Sequence, residues 1–194
     1  MELDRLNKEM AARGTDWQNT YNFNDGFVNV SGSHDQSHLL HIYFALVLGL
    51  KANNVLEIGV NFAESTKALL NALSYTDGKL YSIEIRRNDE IINKIKATPY
   101  GARWEMIIDN SNNAYLNLQH LKGKLDMLLI DGFHSFNQVK ADYENYSGLV
   151  RPGGYILFHD TVWAVGVKEF FDQLNVPRKI SLNFCNGLGM IEVQ

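Results

Sequence analysis

The chain has 194 residues, 45% hydrophobic and 21% charged, with a formal net charge of −4 and a pI near 5.8. That is enough chain for one domain with a sizeable core, and the acidic balance argues against a general nucleic-acid or anionic-membrane surface. The single Cys185 excludes an internal disulfide and a cysteine-based zinc site. The N-terminus is too polar for a signal peptide, and the longest apolar run, 42–50, falls short of the ~20 residues a membrane span needs. A cytoplasmic setting is therefore expected.

Residues 1–34 read as a lid or flap. The stretch 1–12 suits a short amphipathic helix, whereas 15–33 has no sustained period and carries Trp17, Tyr21, Phe23 and Phe27. Residues 35–194 form the main domain. Asp35 or Ser37 can cap a first helix whose apolar face is Leu39, Leu40, Tyr43, Phe44, Val47 and Leu48. The pattern then alternates: strand 55–59, helix 64–73, strand 80–85, helix 89–97, strand 104–108 and helix 112–121.

Leu125–Ile130 is a continuous apolar run, as expected of a strand buried on both faces. It ends in Asp131-Gly132-Phe133-His134. Ser135 and Gln138 then spell a capping box, and Phe136, Val139, Tyr143, Tyr146 and Val150 draw one helix stripe. Arg151-Pro152-Gly153-Gly154 stops that helix before strand 155–158, which ends in His159-Asp160. A helix over 162–174 follows, and 178–184 can pair with 188–193 across Asn186-Gly187. Strands alternating with helices predict an α/β fold, a doubly wound, seven-stranded, mostly parallel sheet closed by a terminal hairpin. In such sheets the strand ends share one edge, so Asp131, His134, His159 and Asp160 should meet in one crevice.

The loop after the first strand runs Glu57-Ile58-Gly59-Val60-Asn61-Phe62-Ala63-Glu64-Ser65. A dinucleotide fingerprint would need glycines where Asn61 and Glu64 stand, and Glu64 at a helix start repels a pyrophosphate. An NAD-dependent oxidoreductase is therefore disfavoured. A nucleotide ligand without phosphates fits better, and Glu57 suggests that it carries positive charge. Glu57, Gly59, Asn61 and Ser65 are the candidates to bind it from this loop. Glu84, roughly 25 residues past Gly59, can accept both ribose hydroxyl hydrogen bonds. Asp109, Asn110 and Ser111 offer polar groups to an adenine edge, although each alone also suits a helix cap.

Glu57-Ile58-Gly59, Glu84, Asp109-Asn110-Ser111, Asp131-Gly132-Phe133-His134 and Gly153-Gly154 before His159-Asp160 resemble the class I S-adenosylmethionine-dependent methyltransferases. More narrowly, they resemble the small branch of catechol, sugar and macrolide O-methyltransferases, many of which bind magnesium. The resemblance implies a Rossmann-like methyltransferase fold and S-adenosyl-L-methionine as cofactor. It also implies a small hydroxylated acceptor, a sugar, phenol or secondary metabolite. Asp131, besides closing the cofactor crevice, falls with His159 and Asp160 where that family holds its divalent metal, magnesium foremost. The chain departs from the pattern at Ala63, where a third glycine is usual, and at His159, where the catechol-type pattern is acidic. Magnesium prefers hard oxygen ligands, whereas an imidazole at 159 favours zinc or manganese or stands beside the metal.

His134, three residues past Asp131, is the expected general base, because imidazole titrates near neutral pH. Phe133, Phe136 and Trp163 are read as walls of the acceptor pocket. The rest of that pocket must come from 1–33, from other loops, or from a second subunit of a homo-oligomer. A non-catalytic cofactor-binding or scaffolding domain is the competing reading, and the changes at Ala63 and His159 are what permit it.

Overall fold

The computed structural model describes residues 37–194; the expected lid or flap over 1–34 lies outside the described residues. Helix α1 (Ser37–Leu50) leads into strand β1 (Asn54–Ile58), and α2 (Glu64–Thr76) returns to β2 (Lys79–Glu84). Helix α3 (Asp89–Lys96) precedes β3 (Trp104–Ile108), and the short α4 (Ser111–Ala114) precedes β4 (Leu125–Ile130). Helix α5 (Phe136–Tyr146), β5 (Val150–His159), α6 (Val165–Gln173), β6 (Lys179–Leu182) and β7 (Leu188–Glu192) complete the chain.

The sheet has seven strands in the order β3-β2-β1-β4-β5-β7-β6. Strands β1 to β5 pair in parallel, and β7 runs antiparallel to both β5 and β6. This is the doubly wound architecture the alternation predicts. All six residues of β4 are buried, which explains why its sequence is a continuous apolar run. From β1 the chain winds outward to β2 and β3, and from β4 it winds the other way. The crevice between the β1 and β4 ends is thus the topological switch point, where open α/β sheets bind ligands.

Several boundaries differ from the sequence pattern for physical reasons. The helix expected over 112–121 is one turn of α-helix followed by a 3₁₀ segment, Tyr115–Leu121. Its apolar residues Tyr115, Leu118 and Leu121 recur every third position, which suits three residues per turn. Val150 opens β5 instead of closing α5, so Arg151–Gly154 lies inside the strand, where the β4 pairing register shifts. Gly153 there has φ +75°, and a Cβ on Gly154 would lie 2.8 Å from the Asp126 carbonyl oxygen. Helix α6 begins at Val165 and not at 162, because the Val162 and Trp163 amides donate to the Asn186 carbonyl at 2.8 and 3.0 Å.

Candidate active site

The β1 and β4 ends are joined by the Asp131 amide, which donates to the Ile58 carbonyl at 2.9 Å. Gly59 has φ +95°, and a Cβ there would lie 2.0 Å from the Asp131 carbonyl oxygen. The glycine is required by the approach of the β4 backbone, as well as by any ligand above it. Asn61 (φ +45°) and Ala63 (φ +62°) also turn left-handed, so Ala63 adopts a backbone that the usual glycine takes more easily. Glu84 closes this loop: its Oε2 accepts from the Val60 and Asn61 amides at 3.1 and 3.2 Å, and its Oε1 from the Arg86 amide at 3.0 Å.

Glu57 and Ser65 lie deeper than their place in the motif suggests. Glu57 is fully buried, and its carboxyl accepts from the hydroxyls of Ser65 (2.5 Å), Thr66 (2.7 Å) and Ser82 (2.8 Å). Burial pushes its pKa up to about 7 despite those three hydroxyls. The pair ties α2 to β1 and β2 beneath the loop. Asn110 takes the capping role, accepting from the Asn112 amide at 2.9 Å. Asp109 accepts from the Asn110 amide at 2.7 Å, and Ser111 donates to Asp142 at 2.6 Å.

At the other end of the crevice, Asp131, His134, His159 and Asp160 meet as expected from adjacent strand ends. His159 is 2% exposed; its Nδ1 lies 2.9 Å from Asp131 Oδ1 and 3.3 Å from Asp160 Oδ2. Burial lowers its basicity, but the two carboxylates outweigh burial and raise its pKa to about 10. The imidazolium therefore supplies positive charge between carboxylates that would otherwise repel. Burial alone would raise Asp131, and its imidazole neighbours hold it below the ordinary value instead. His134 Nε2 lies 3.1 Å from Asp160 Oδ2 and 3.9 Å from Asp131 Oδ1. Asp131 foremost, and then Asp160, raise the His134 imidazole against the effect of burial.

The ligand atoms that come within 4.8 Å of one another belong to Asp131, His134 and Asp160. His159 takes a different place from the expected metal set: its Nδ1 faces the carboxylates, and its buried Nε2 has no partner. The set does fit a cation. Asp160 is 4% exposed, with φ +64°, and its Oδ1 is buried without a hydrogen-bond partner. Nor is Asp160 the cap of the next helix, since Ala164 occupies that position.

Trp163 stands edge-on to His134, with ring centroids 5.7 Å apart, and Phe133 is 73% exposed at the mouth. Phe136 is not a wall: it packs edge-on against Phe170 in the core at 5.7 Å. Two residues escaped the sequence reading. Tyr43 belongs to the apolar face of α1 by its spacing, but burial foremost, and then the Asp131, Glu57 and Asp160 charges, raise its phenol. Asp142 is 1% exposed and receives both Ser111 and Gln138. Gln138 is the expected capping-box residue. Ser135 does accept from the Gln138 amide, but the Gln138 side chain turns to Asp142.

This crevice, a left-handed glycine loop closed by Glu84 beside an Asp–His cluster, sits in a recurrent protein class. Residues 56–161 match the methyltransferase domain family, and the chain belongs to it. Among solved structures it is similar to the O-methyltransferase TomG of Streptomyces achromogenes, in complex with SAM, at 18% identity and a TM-score of 0.69. That similarity covers 81% of this chain and 80% of the other. The O-methyltransferase of Bacillus cereus, in complex with SAH, is similar at 22% identity and a TM-score of 0.70, covering 84% of each chain. An uncharacterised protein of Sinorhizobium fredii is 28% identical over 166 residues, which span 75% of this chain and 18% of that much longer protein. Among the described residues, no helix is long and apolar enough to cross a membrane.

Proposed function

We propose that the chain is an S-adenosylmethionine-dependent O-methyltransferase acting on a small hydroxylated acceptor. The observation that carries this reading is that one edge of the sheet gathers Glu84 at the end of β2, holding the loop after β1, and Asp131, His134 and Asp160 beyond the ends of β4 and β5. Both similar solved structures named above are O-methyltransferases with SAM or SAH bound, which supports the choice of cofactor and of oxygen as the accepting atom.

When bound, the cofactor supplies an electrophilic methyl group. In this chain, Glu84 binds the ribose hydroxyls, exchanging the loop amides it now holds, and Gly59 leaves room over the β1 end. His134 takes the acceptor hydroxyl proton on Nδ1, while Asp160 accepts from Nε2 and so orients that ring. Phe133 and Trp163 hold the acceptor in line and exclude water from it. Asp131 and Asp160 would hold a divalent ion, magnesium foremost, which would fix the acceptor oxygen and lower its pKa. His159 braces both carboxylates from behind.

The test is radiolabel transfer from S-adenosylmethionine to a panel of sugars and phenols, with and without EDTA, alongside calorimetry of S-adenosylhomocysteine. Transfer lost in EDTA and restored by magnesium or manganese supports the full reading. Binding with no transfer to any acceptor points to a non-catalytic domain. His134→Ala separates its two uses: retained metal affinity with lost turnover makes it the base, and lost metal affinity makes it a ligand.

A further inference from the structure

Asp160 and Trp163, two of the side chains that meet the His134 ring, come from one short segment. Asp160 Oδ2 lies 3.1 Å from His134 Nε2, and the Trp163 ring stands edge-on to it at 5.7 Å. That segment, residues 160–166, is held firmly at its start. The Ala164 amide closes back on the Asp160 carbonyl at 2.9 Å. The Val162 and Trp163 amides both donate to the Asn186 carbonyl, at 2.8 and 3.0 Å.

The segment ends at Gly166, in the first turn of α6. Its φ is not left-handed, so no backbone conformation demands a glycine there, and glycine weakens a helix relative to alanine. Space demands it instead. A Cβ would lie 2.5 Å from the Phe136 nitrogen, 2.6 Å from the His134 carbonyl oxygen and 2.9 Å from the Ser135 carbonyl carbon. All three are backbone atoms, which cannot swing aside as the end of a side chain can. Ser135 caps α5, its carbonyl accepting from the Val139 amide at 3.0 Å, and Phe136 is anchored on Phe170. The backbone that carries His134 is thus clasped between the start of α5 and the start of α6.

We propose that Gly166 is a positioning residue: its missing side chain lets α6 seat the His134 backbone where the imidazole meets both Asp160 and Trp163. This rests on the reading above, in which His134 is the base. Asp160, Trp163 and Gly166 belong to one pinned segment, so the seat and the groups that orient the ring keep a fixed relation. A methyl group at 166 would push His134 out of that relation. The three atoms nearest to such a group all belong to residues 134–136, and none to the loop that Glu84 holds.

Three measurements test this. In the wild type, nuclear Overhauser spectra should show a strong cross-peak between a Gly166 α-proton and the Phe136 amide proton. Its absence would overturn the proposal with no variant needed. Gly166→Ala should move the His134 ring resonance, assigned by its loss in His134→Ala, and leave that of His120 in place. With labelled S-adenosylmethionine and the panel of sugars and phenols, kcat in Gly166→Ala should fall about 10²-fold, the scale of a misplacement of about 1 Å. S-adenosylhomocysteine affinity should stay unchanged. In the His134→Ala background Gly166→Ala should cost nothing further, because both act through one ring. An unmoved His134 resonance in folded Gly166→Ala, or losses that add in the double variant, would overturn the proposal. If the wild type labels no acceptor, the base reading fails, whereas the cross-peak and the resonance still decide whether Gly166 seats His134.

Discussion

Strand β4 carries an aspartate near each end, and the two have opposite surroundings. Asp126, at the N-terminal edge, is saturated: one oxygen accepts from the Asn53 and Asn54 amides at 2.7 and 2.9 Å, the other from Arg151 Nε at 2.7 Å. Asp131, at the C-terminal edge, meets two imidazoles beside an Asp160 oxygen that has no partner. The first cluster is a closed staple joining β1, β4 and β5. The second holds four titratable groups, left-handed backbone at Asp160, and orphaned buried atoms at His159, Asp160 and Thr161. Buried polar atoms without protein partners are rare in folded proteins, and where they gather, an ordered water, an ion or a catalytic role accounts for them. The sheet is therefore stable at one edge and chemically poised at the other.

Variants can break this contrast from either side. The largest effect is expected for His134→Ala: turnover should fall roughly 10²–10⁴-fold, the span of a general base, with the melting temperature unchanged. A parallel loss of stability would make His134 a structural residue. Asp126→Ala should do the reverse. It strands the Arg151 charge and two backbone amides, which should cost about 3 kcal/mol in denaturant unfolding, while the surviving folded protein keeps its cofactor affinity.

Glu57 sits between these extremes, buried like Asp126 but held only by hydroxyls. Its folded pKa of about 7 exceeds the ordinary 4.5, so the folded state binds this proton more tightly than the unfolded chain. The stability this group contributes is fully present below about pH 4.5 and declines as pH rises to about 7. The decline should reach on the order of 3 kcal/mol. Glu57→Gln should remove that slope from unfolding curves measured across the same range, and an unaltered slope would assign it to other groups. The smallest effect is expected for Glu84→Ala, which should weaken S-adenosylmethionine binding by roughly 1.5–3 kcal/mol in calorimetry. Unchanged affinity in a folded variant would remove Glu84 from the site.

The sheet was legible in the sequence because β1, β2 and β4 are short runs buried on both faces and separated by helical stripes, and the edge strand β3, though only partly buried, keeps an apolar run of its own. The meeting of Asp131, His134, His159 and Asp160 was legible for the same reason, since parallel neighbours place their ends together. What the sequence hid is direction within the site. Spacing cannot tell that His159 turns Nδ1 toward two carboxylates, nor that Ser65 serves Glu57. Asp142 escaped because it falls one position off the Val139–Tyr143–Tyr146 stripe. Only its place four residues after Gln138, on the same helix face, hinted that the two would meet. The β5 start escaped because Pro152-Gly153-Gly154 reads as a break, whereas a register shift beside Asp126 absorbs it.

If the Asp131–His134–Asp160 edge performs methyl transfer to oxygen, the reaction depends on His134. Single-turnover transfer of labelled methyl from S-adenosylmethionine to a hydroxylated acceptor, in wild type and in His134→Ala at equal cofactor saturation, tests it most directly. The expected result is label on the acceptor oxygen in the wild type and a rate at least about a hundredfold lower in the variant. Equal rates in the two proteins would contradict it.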